Sequence, residues 1–195
     1  MTSLDVCNTL LSSAGTEPII ASLGHPAYDL FGAKDRPENF YTWGSMGLAS
    51  SIGLGLAMAQ PTRRVFVLDG DGSLLMNLGT LATIAWARPQ NLVVIVLDNE
   101  RYGTTGGQET ATAHGADLEA AARAMGIAQA ATVRDTAALN DVLSRTTTAP
   151  GPWMIVVKVE NTAPTTRPPL DCVLIKQRFM HAIGCAESAT DGTRP

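Results

Sequence analysis

The sequence predicts an α/β fold with a doubly wound, mainly parallel six-stranded sheet and helices on both faces. Two apolar runs rich in β-branched residues, 64–68 and 91–97, each end in a polar turn, which is typical of buried strands. The segment between them has apolar residues at helical spacing, so the unit is strand, helix, strand. Repetition of this alternation along the chain predicts a parallel sheet with both faces covered.

Each of the six predicted strands is a short apolar run bounded by Gly, Pro, Asn or Asp. Such residues end a strand because they favour turn conformations or lack a backbone donor. The predicted strands are residues 18–23, 39–43, 64–68, 91–97, 130–133 and 153–159.

The helices are predicted from caps and from apolar residues three or four positions apart. Ser3 is the predicted cap of a first helix, and Asp117 and Asp171 cap two later ones. Gly53 lowers intrinsic helicity within its segment, so close packing or a ligand must offset a cost of roughly 1 kcal/mol. The other predicted helical segments are 46–59, 78–87, 117–125, 136–144 and 171–183.

Length, charge and cysteine content exclude several classes of protein. A chain of 195 residues fits one domain, 1–195, with a disordered tail expected from about 186. The net charge of −4 and the lack of a basic tract argue against nucleic acid as a partner. The three cysteines are too widely spaced for a zinc or iron–sulfur motif. No run is long enough to span a bilayer, and a cytoplasmic location is expected.

Polar side chains follow the two central strands at the point where each strand ends. Gly70, Asp71 and Gly72 follow one strand, and Asn99 follows the next. The carboxyl ends of parallel strands share one edge of the sheet, where ligands bind. Glycines allow close approach of the backbone, while a carboxylate and an amide offer hard oxygen atoms. The combination favours a Mg²⁺–diphosphate ligand.

These residues also carry a family resemblance. The Gly-Asp-Gly-Ser sequence at 70–73, followed after about two dozen residues by a strand ending in Asn99, resembles the thiamine-diphosphate binding motif. Segments 43–57, 73–79 and 102–110 resemble the diphosphate-binding (beta) subunit of sulfopyruvate decarboxylase and the related phosphonopyruvate decarboxylase. The likeness covers about 19–127, and it implies the diphosphate-binding (PP) domain of the thiamine-diphosphate fold.

The resemblance implies a Mg²⁺ site. Its ligands would be the side chains of Asp71 and Asn99 and the main-chain carbonyl of Arg101. Asp98 departs from the wider superfamily, many of whose members have Asn at this position. Asp69 is expected to be structural.

The resemblance also implies how the cofactor is held. Gly70, Gly72 and Ser73 would contact the diphosphate, the carbonyl of Gly44 would accept a hydrogen bond from the aminopyrimidine, and Met46 would wedge between the two rings. The implied cofactor-binding residues are Gly44, Ser45, Met46, Gly70, Asp71, Gly72, Ser73, Asn99, Arg101, Tyr102, Gly103 and Thr104.

The remaining candidate residues each have a functional and an ordinary structural interpretation. His25 follows the end of a predicted strand. It either contacts the substrate or is an ordinary core or surface residue. We group it with Gly44 and Met46 as the candidate catalytic residues. Arg101 meets an acidic substrate or projects into solvent. Thr105, Gln108 and His114 follow in a glycine-rich loop that a ligand could order.

The function implied by the resemblance is decarboxylation of a short anionic 2-oxo acid with thiamine diphosphate and Mg²⁺. A separate pyrimidine-binding (alpha) subunit would supply the activating Glu in an α₂β₂ or larger assembly. Two alternatives stay open: a subunit of a 2-oxo acid oxidoreductase, or a non-catalytic regulatory module that binds a phosphate ligand.

Overall fold

The structure, a computed structural model, describes residues 1–185. The predicted disordered tail from about 186 lies outside these residues. Six strands form one parallel sheet and two more form a small antiparallel hairpin. The strands are β1 Ile19–Ala21, β2 Asn39–Tyr41, β3 Val65–Gly70, β4 Leu92–Asp98, β5 Arg101–Tyr102, β6 Gln108–Glu109, β7 Gln129–Val133 and β8 Trp153–Lys158.

Helices cover both faces of the sheet. They are α1 Ser3–Ala14, α2 His25–Ala33, α3 Ala49–Ala59, α4 Asp71–Met76, α5 Thr80–Ala87, α6 Leu118–Ala124, α7 Thr136–Thr148 and α8 Cys172–Ala182, with a 3₁₀ turn at Ala111–His114. Within residues 1–185 no helix is both long and apolar enough to cross a membrane.

The order of strands in the large sheet is β2-β1-β3-β4-β8-β7, and every pairing is parallel. The chain first moves from β1 outward to β2 and then returns to place β3 on the other side of β1. The connections after β1 and β3 therefore diverge, which leaves a crevice at the carboxyl ends of these two strands. This observed sheet confirms the predicted fold class.

Each central strand supplies alternate side chains to two apolar layers. In β4, Val93 and Ile95 pack with α1, α2 and α7, whereas Val94 and Val96 pack with α3, α5 and α6. Burial of such a side chain contributes about 1.5–3 kcal/mol relative to exposure. A strand that is buried on both faces must be apolar throughout, and β4 is so until Asp98.

Several boundaries differ from the sequence-based expectation. Thr2, rather than Ser3, caps α1, in a reciprocal pair of hydrogen bonds with Asp5. Helix α3 begins at Ala49 rather than 46, because Ser45 (φ 62°) and Gly47 (φ 86°) have left-handed backbone conformations. The expected close packing at Gly53 is confirmed, since a Cβ atom there would collide with the side chain of Val67 on β3.

Candidate active site

A cleft opens at the carboxyl edge of the sheet, at the crevice between β1 and β3, where open α/β sheets bind ligands. The sequence-predicted residues that line the cleft are His25, Met46, Gly70, Asp71, Gly72, Ser73, Asn99, Arg101, Tyr102, Gly103 and Thr104. Gly44 and Ser45 lie in the loop before Met46, are exposed, and are not among the lining residues.

Asp71 is the first residue of α4 and is almost completely buried. Its Oδ2 accepts hydrogen bonds from the hydroxyls of Thr110, at 2.5 Å, and Thr112, at 3.0 Å. Burial raises the pKa of this carboxyl, and the neighbouring Asp98 carboxylate raises it further. A cation in the cleft would oppose both effects, so the electrostatics of Asp71 fit a metal ligand.

Asn99 follows β4 and reaches the same cleft. Its Oδ1 accepts a hydrogen bond of 3.0 Å from the backbone N–H of Arg101, and its Nδ2 lies 3.4 Å from Oδ1 of Asn161. The Arg101 guanidinium pairs with Glu109 at 3.0 Å, across the β5–β6 hairpin. The predicted ligands Asp71, Asn99 and Arg101 thus lie on adjacent elements around one cleft.

The Gly-Asp-Gly-Ser turn is supported from below by Asp69. This carboxylate is fully buried, accepts the backbone N–H of Gly70 at 2.9 Å, and lies 3.3 Å from the Ser50 hydroxyl, which donates to it. Its position beneath the turn agrees with a structural role. A Cβ atom at Gly72 would collide with the ring of Tyr102, so this glycine is required for packing in the protein itself.

Ser73 has a role in the structure that the sequence did not indicate. Its hydroxyl lies 3.0 Å from that of Ser22 and accepts the backbone N–H of Gly47 at 3.0 Å. Asn77 Nδ2 donates to the carbonyl of the same glycine, also at 3.0 Å. Ser73 and Asn77 therefore fix both polar backbone atoms of Gly47 and hold the adjacent Met46, which is half-buried, at the cleft.

The Met46 loop provides a test of this geometry. We expect Gly47→Ala to destabilise the protein by about 1–2 kcal/mol, because φ is 86° and the new Cβ would lie 3.1 Å from Cβ of Asn77. Gly55→Ala is the matched control, since an added Cβ on the exposed side of α3 meets no heavy atom within 4 Å. Thermal unfolding should show a lower Tm only for the first variant. Equal Tm values would contradict the described loop.

His25 begins α2 and lines the cleft next to the residue that follows β5. A Cβ atom at Gly103 would come within 2.7 Å of His25 Nε2, so the imidazole packs directly against this backbone. His114 does not line the cleft but lies 2.9 Å from Glu109. The structure brings His25 to the predicted site, and it places His114 at the outer side of the hairpin.

Other residues of the site were missed by sequence reasoning. Thr110 and Thr112 are buried and contact Asp71. Thr110 ends segment 102–110, which carries the family resemblance, but no role was predicted for it from the sequence, and Thr112 belongs to no motif or periodic pattern. The further lining residues are Ser3, Leu23, Gly24, Pro26, Leu97, Thr105 and Val159. Of these only Thr105 was considered from the sequence.

Comparison with known proteins agrees with this geometry. Residues 26–157 match the family model described as thiamine pyrophosphate enzyme, C-terminal TPP binding domain. The chain is 46% identical over 125 residues to sulfopyruvate decarboxylase subunit beta of Methanocaldococcus jannaschii. This match covers 64% of this chain and 66% of that protein, so the chain spans slightly less than two thirds of the relative's length. It is 37% identical over 187 residues to the subunit of the same name from Methanococcus maripaludis, covering 94% and 98%.

A solved structure shows the same fold. The thiamine diphosphate-dependent 4-hydroxybenzoylformate decarboxylase of Rhodococcus jostii superposes with a TM-score of 0.69 at 18% identity, over 84% of this chain and 33% of that one. At this identity the likeness concerns the fold alone. The family match, which spans β2, β3, β4 and most of β8, extends to the cleft residues themselves. The chain therefore belongs to the thiamine pyrophosphate enzyme family and carries its C-terminal TPP binding domain.

Proposed function

We propose that this chain is the diphosphate- and Mg²⁺-binding subunit of a thiamine-diphosphate-dependent decarboxylase of short anionic 2-oxo acids. The observation that carries the proposal is the convergence of Asp71 and Asn99, from the ends of β3 and β4, on one cleft in a chain of this family. The curated relatives named sulfopyruvate and phosphonopyruvate decarboxylase support this class of substrate. Their names describe decarboxylases, which favours this function over the oxidoreductase and regulatory alternatives.

Residues of the cleft fit the charge of such a cofactor. Asp71 and Asn99 would provide side-chain oxygens for Mg²⁺, and the main-chain carbonyl of Arg101 would provide a third, with phosphate oxygens and water as further ligands. The half-buried Gly70, which lines the cleft, and the start of α4 would face the diphosphate. When bound, thiamine diphosphate supplies the electron sink for loss of CO₂ from a 2-oxo acid.

Other residues of this chain would orient the reacting groups. Met46 presents an apolar side chain to the cleft from a loop held at both backbone atoms of Gly47, which suits a rigid wedge. Gly44 would offer its carbonyl to the aminopyrimidine from the same loop. Arg101, His25 and Thr104 line the cleft and would face the negative charges of the substrate.

The proposal includes a second chain. In this family the Glu that activates the cofactor lies on a pyrimidine-binding domain, and the relatives' name, subunit beta, agrees with such a division. We propose an α₂β₂ or larger assembly in the cytoplasm. All three cysteines, Cys7, Cys172 and Cys185, are free thiols, which agrees with a reducing compartment.

The test is reconstitution from two chains. We expect CO₂ release from sulfopyruvate or phosphonopyruvate only when this chain is co-expressed with a pyrimidine-binding subunit, with thiamine diphosphate and Mg²⁺ present. Each chain purified alone should be inactive, because neither holds both halves of the site. A pair carrying Asp71→Ala is the negative control.

Full turnover by the purified single chain would contradict the two-chain part of the proposal. An active pair that acts on neither 2-oxo acid would contradict the substrate class. Mass photometry of the pair measures its stoichiometry.

A further inference from the structure

The metal-binding carboxylate is supported by a buried chain of polar groups. Thr110 and Thr112 are at most 6% exposed and lie at the 3₁₀ turn that follows the β5–β6 hairpin. Their hydroxyls are 2.8 Å apart. Both hydroxyls contact Oδ2 of Asp71, so the protein holds this oxygen of a carboxylate that lines the cleft.

The same chain reaches the strand that carries Asn99. The Thr112 hydroxyl is 2.8 Å from Oδ1 of Asp98, the last residue of β4, and Oδ2 of Asp98 is 2.8 Å from Nζ of Lys158 at the end of β8. Lys158 also pairs with Glu100 at 2.8 Å. Polar contacts therefore join the ends of β3, β4 and β8 beneath the cleft.

The hydroxyls of Thr110 and Thr112 form different hydrogen bonds. Each threonine has one proton to donate. Within residues 1–185 Asp71 is the one carboxylate in contact with the Thr110 hydroxyl, so Thr110 donates its proton to Asp71. The Thr112 hydroxyl lies within hydrogen-bonding distance of both Asp71 and Asp98. It can donate to either carboxylate and so links the two. An Asn at position 98 could not form this ion pair with Lys158, so the carboxylate of Asp98 is needed for the contact between β4 and β8.

We propose that Thr110 and Thr112 are positioning residues for the divalent cation. By fixing Oδ2 of Asp71 they would limit rotation of this carboxylate and hold it in one orientation for the metal, and Asp98, which pairs with Lys158, fixes Thr112 in turn. Mg²⁺ requires near-ideal octahedral geometry, so rotation of one ligand is costly. This inference rests on the Mg²⁺ site of the proposed function and adds the residues that orient it.

The experiment measures cation affinity rather than turnover. Mn²⁺ is titrated into the full chain, with the pyrimidine-binding subunit and thiamine diphosphate present, and free Mn²⁺ is followed by electron paramagnetic resonance. We expect Thr110→Val and Thr112→Val each to weaken Mn²⁺ binding 10–100-fold, which is typical of lost contacts to a metal ligand. Thr112→Ser keeps the hydroxyl and should bind close to wild type.

A matched control separates orientation from stability. Thr146 is also buried, but its hydroxyl donates to the carbonyl of Leu143 within α7 and it does not line the cleft. Thr146→Val should leave Mn²⁺ affinity unchanged. If Thr112→Val fails to fold, Thr110→Val decides the question.

Two negative results have different meanings. Folded threonine-to-valine variants with wild-type Mn²⁺ affinity would overturn the positioning role and leave the proposed function intact. A wild-type protein that binds no Mn²⁺ with thiamine diphosphate would overturn the proposed function itself.

Discussion

Replacement of Asp71 with alanine is expected to abolish Mg²⁺-dependent binding of thiamine diphosphate. The change removes the one anionic side-chain ligand in the proposed set and leaves the diphosphate charge uncompensated. A ligand at one hundred times its Kd stabilises a protein by about 2.7 kcal/mol. The wild-type assembly should therefore show a higher Tm with cofactor and Mg²⁺ than without them, and the variant should show no rise.

Asp141→Ala is the control for Asp71→Ala. Asp141 is an exposed carboxylate on α7, with a side chain 72% accessible, and it does not line the cleft. This variant should keep the full ligand-dependent rise in Tm. An equal rise in the Asp71 variant would remove this residue from the metal site.

Met46→Ala is expected to lower kcat by about 100-fold while changing cofactor affinity little. A wedge acts on the conformation of the bound cofactor, and a misplacement of 1 Å can cost about 10²-fold in rate. The proposed anchor of the diphosphate and its cation lies elsewhere, at Asp71 and Asn99, so binding should survive. Since Met46 is only half-buried, the loss of stability should be smaller than the 2–5 kcal/mol of an enclosed methionine.

Two further variants define the result for Met46. Met46→Leu keeps an apolar side chain of similar volume and should retain most of kcat. Met58→Ala truncates a methionine that is 62% exposed on α3 and should have no effect on kcat. Wild-type turnover in a folded Met46→Ala protein would show that the wedge is absent or supplied by another residue.

The sequence predicted the six strands of the sheet because a doubly covered parallel sheet imposes a strong pattern. β4 must be apolar at every position that is covered on both faces. Asp98 and Asn99 lie at its carboxyl end, where it reaches the edge of the sheet and polar residues are allowed. The same logic placed Asp71 and Asn99 at one edge. Caps were equally informative, since Asp117 and Asp171 each accept a backbone N–H at the predicted helix start.

Other features depend on contacts that leave no local pattern. Helix α2 was missed because Gly24, His25 and Pro26 indicate the end of a strand, although a proline in the first turn of a helix is also common. Helix α4 was missed because a turn rich in glycine predicts a loop. The left-handed Gly47 is held by Ser73 and Asn77, which lie 26 and 30 residues away in the chain.

The strand order has a consequence for the time course of folding. Val65 pairs with Leu92 early in the chain, so β3 and β4 can form with Asp71 and Asn99 side by side. The second edge of β4 pairs only with β8, where Val93 meets Trp153. Until β8 has been synthesised, an apolar strand keeps an open edge, which is prone to aggregation.

Completion of the site is therefore tied to the last strand. Lys158, the ion-pair partner of Asp98, is the final residue of β8 and arrives only when that edge closes. A nascent chain thus acquires the proposed cation ligands first and the ion pair that supports them last. Non-local pairing of this kind slows folding, so the rate at which binding competence appears during refolding should follow the docking of β8.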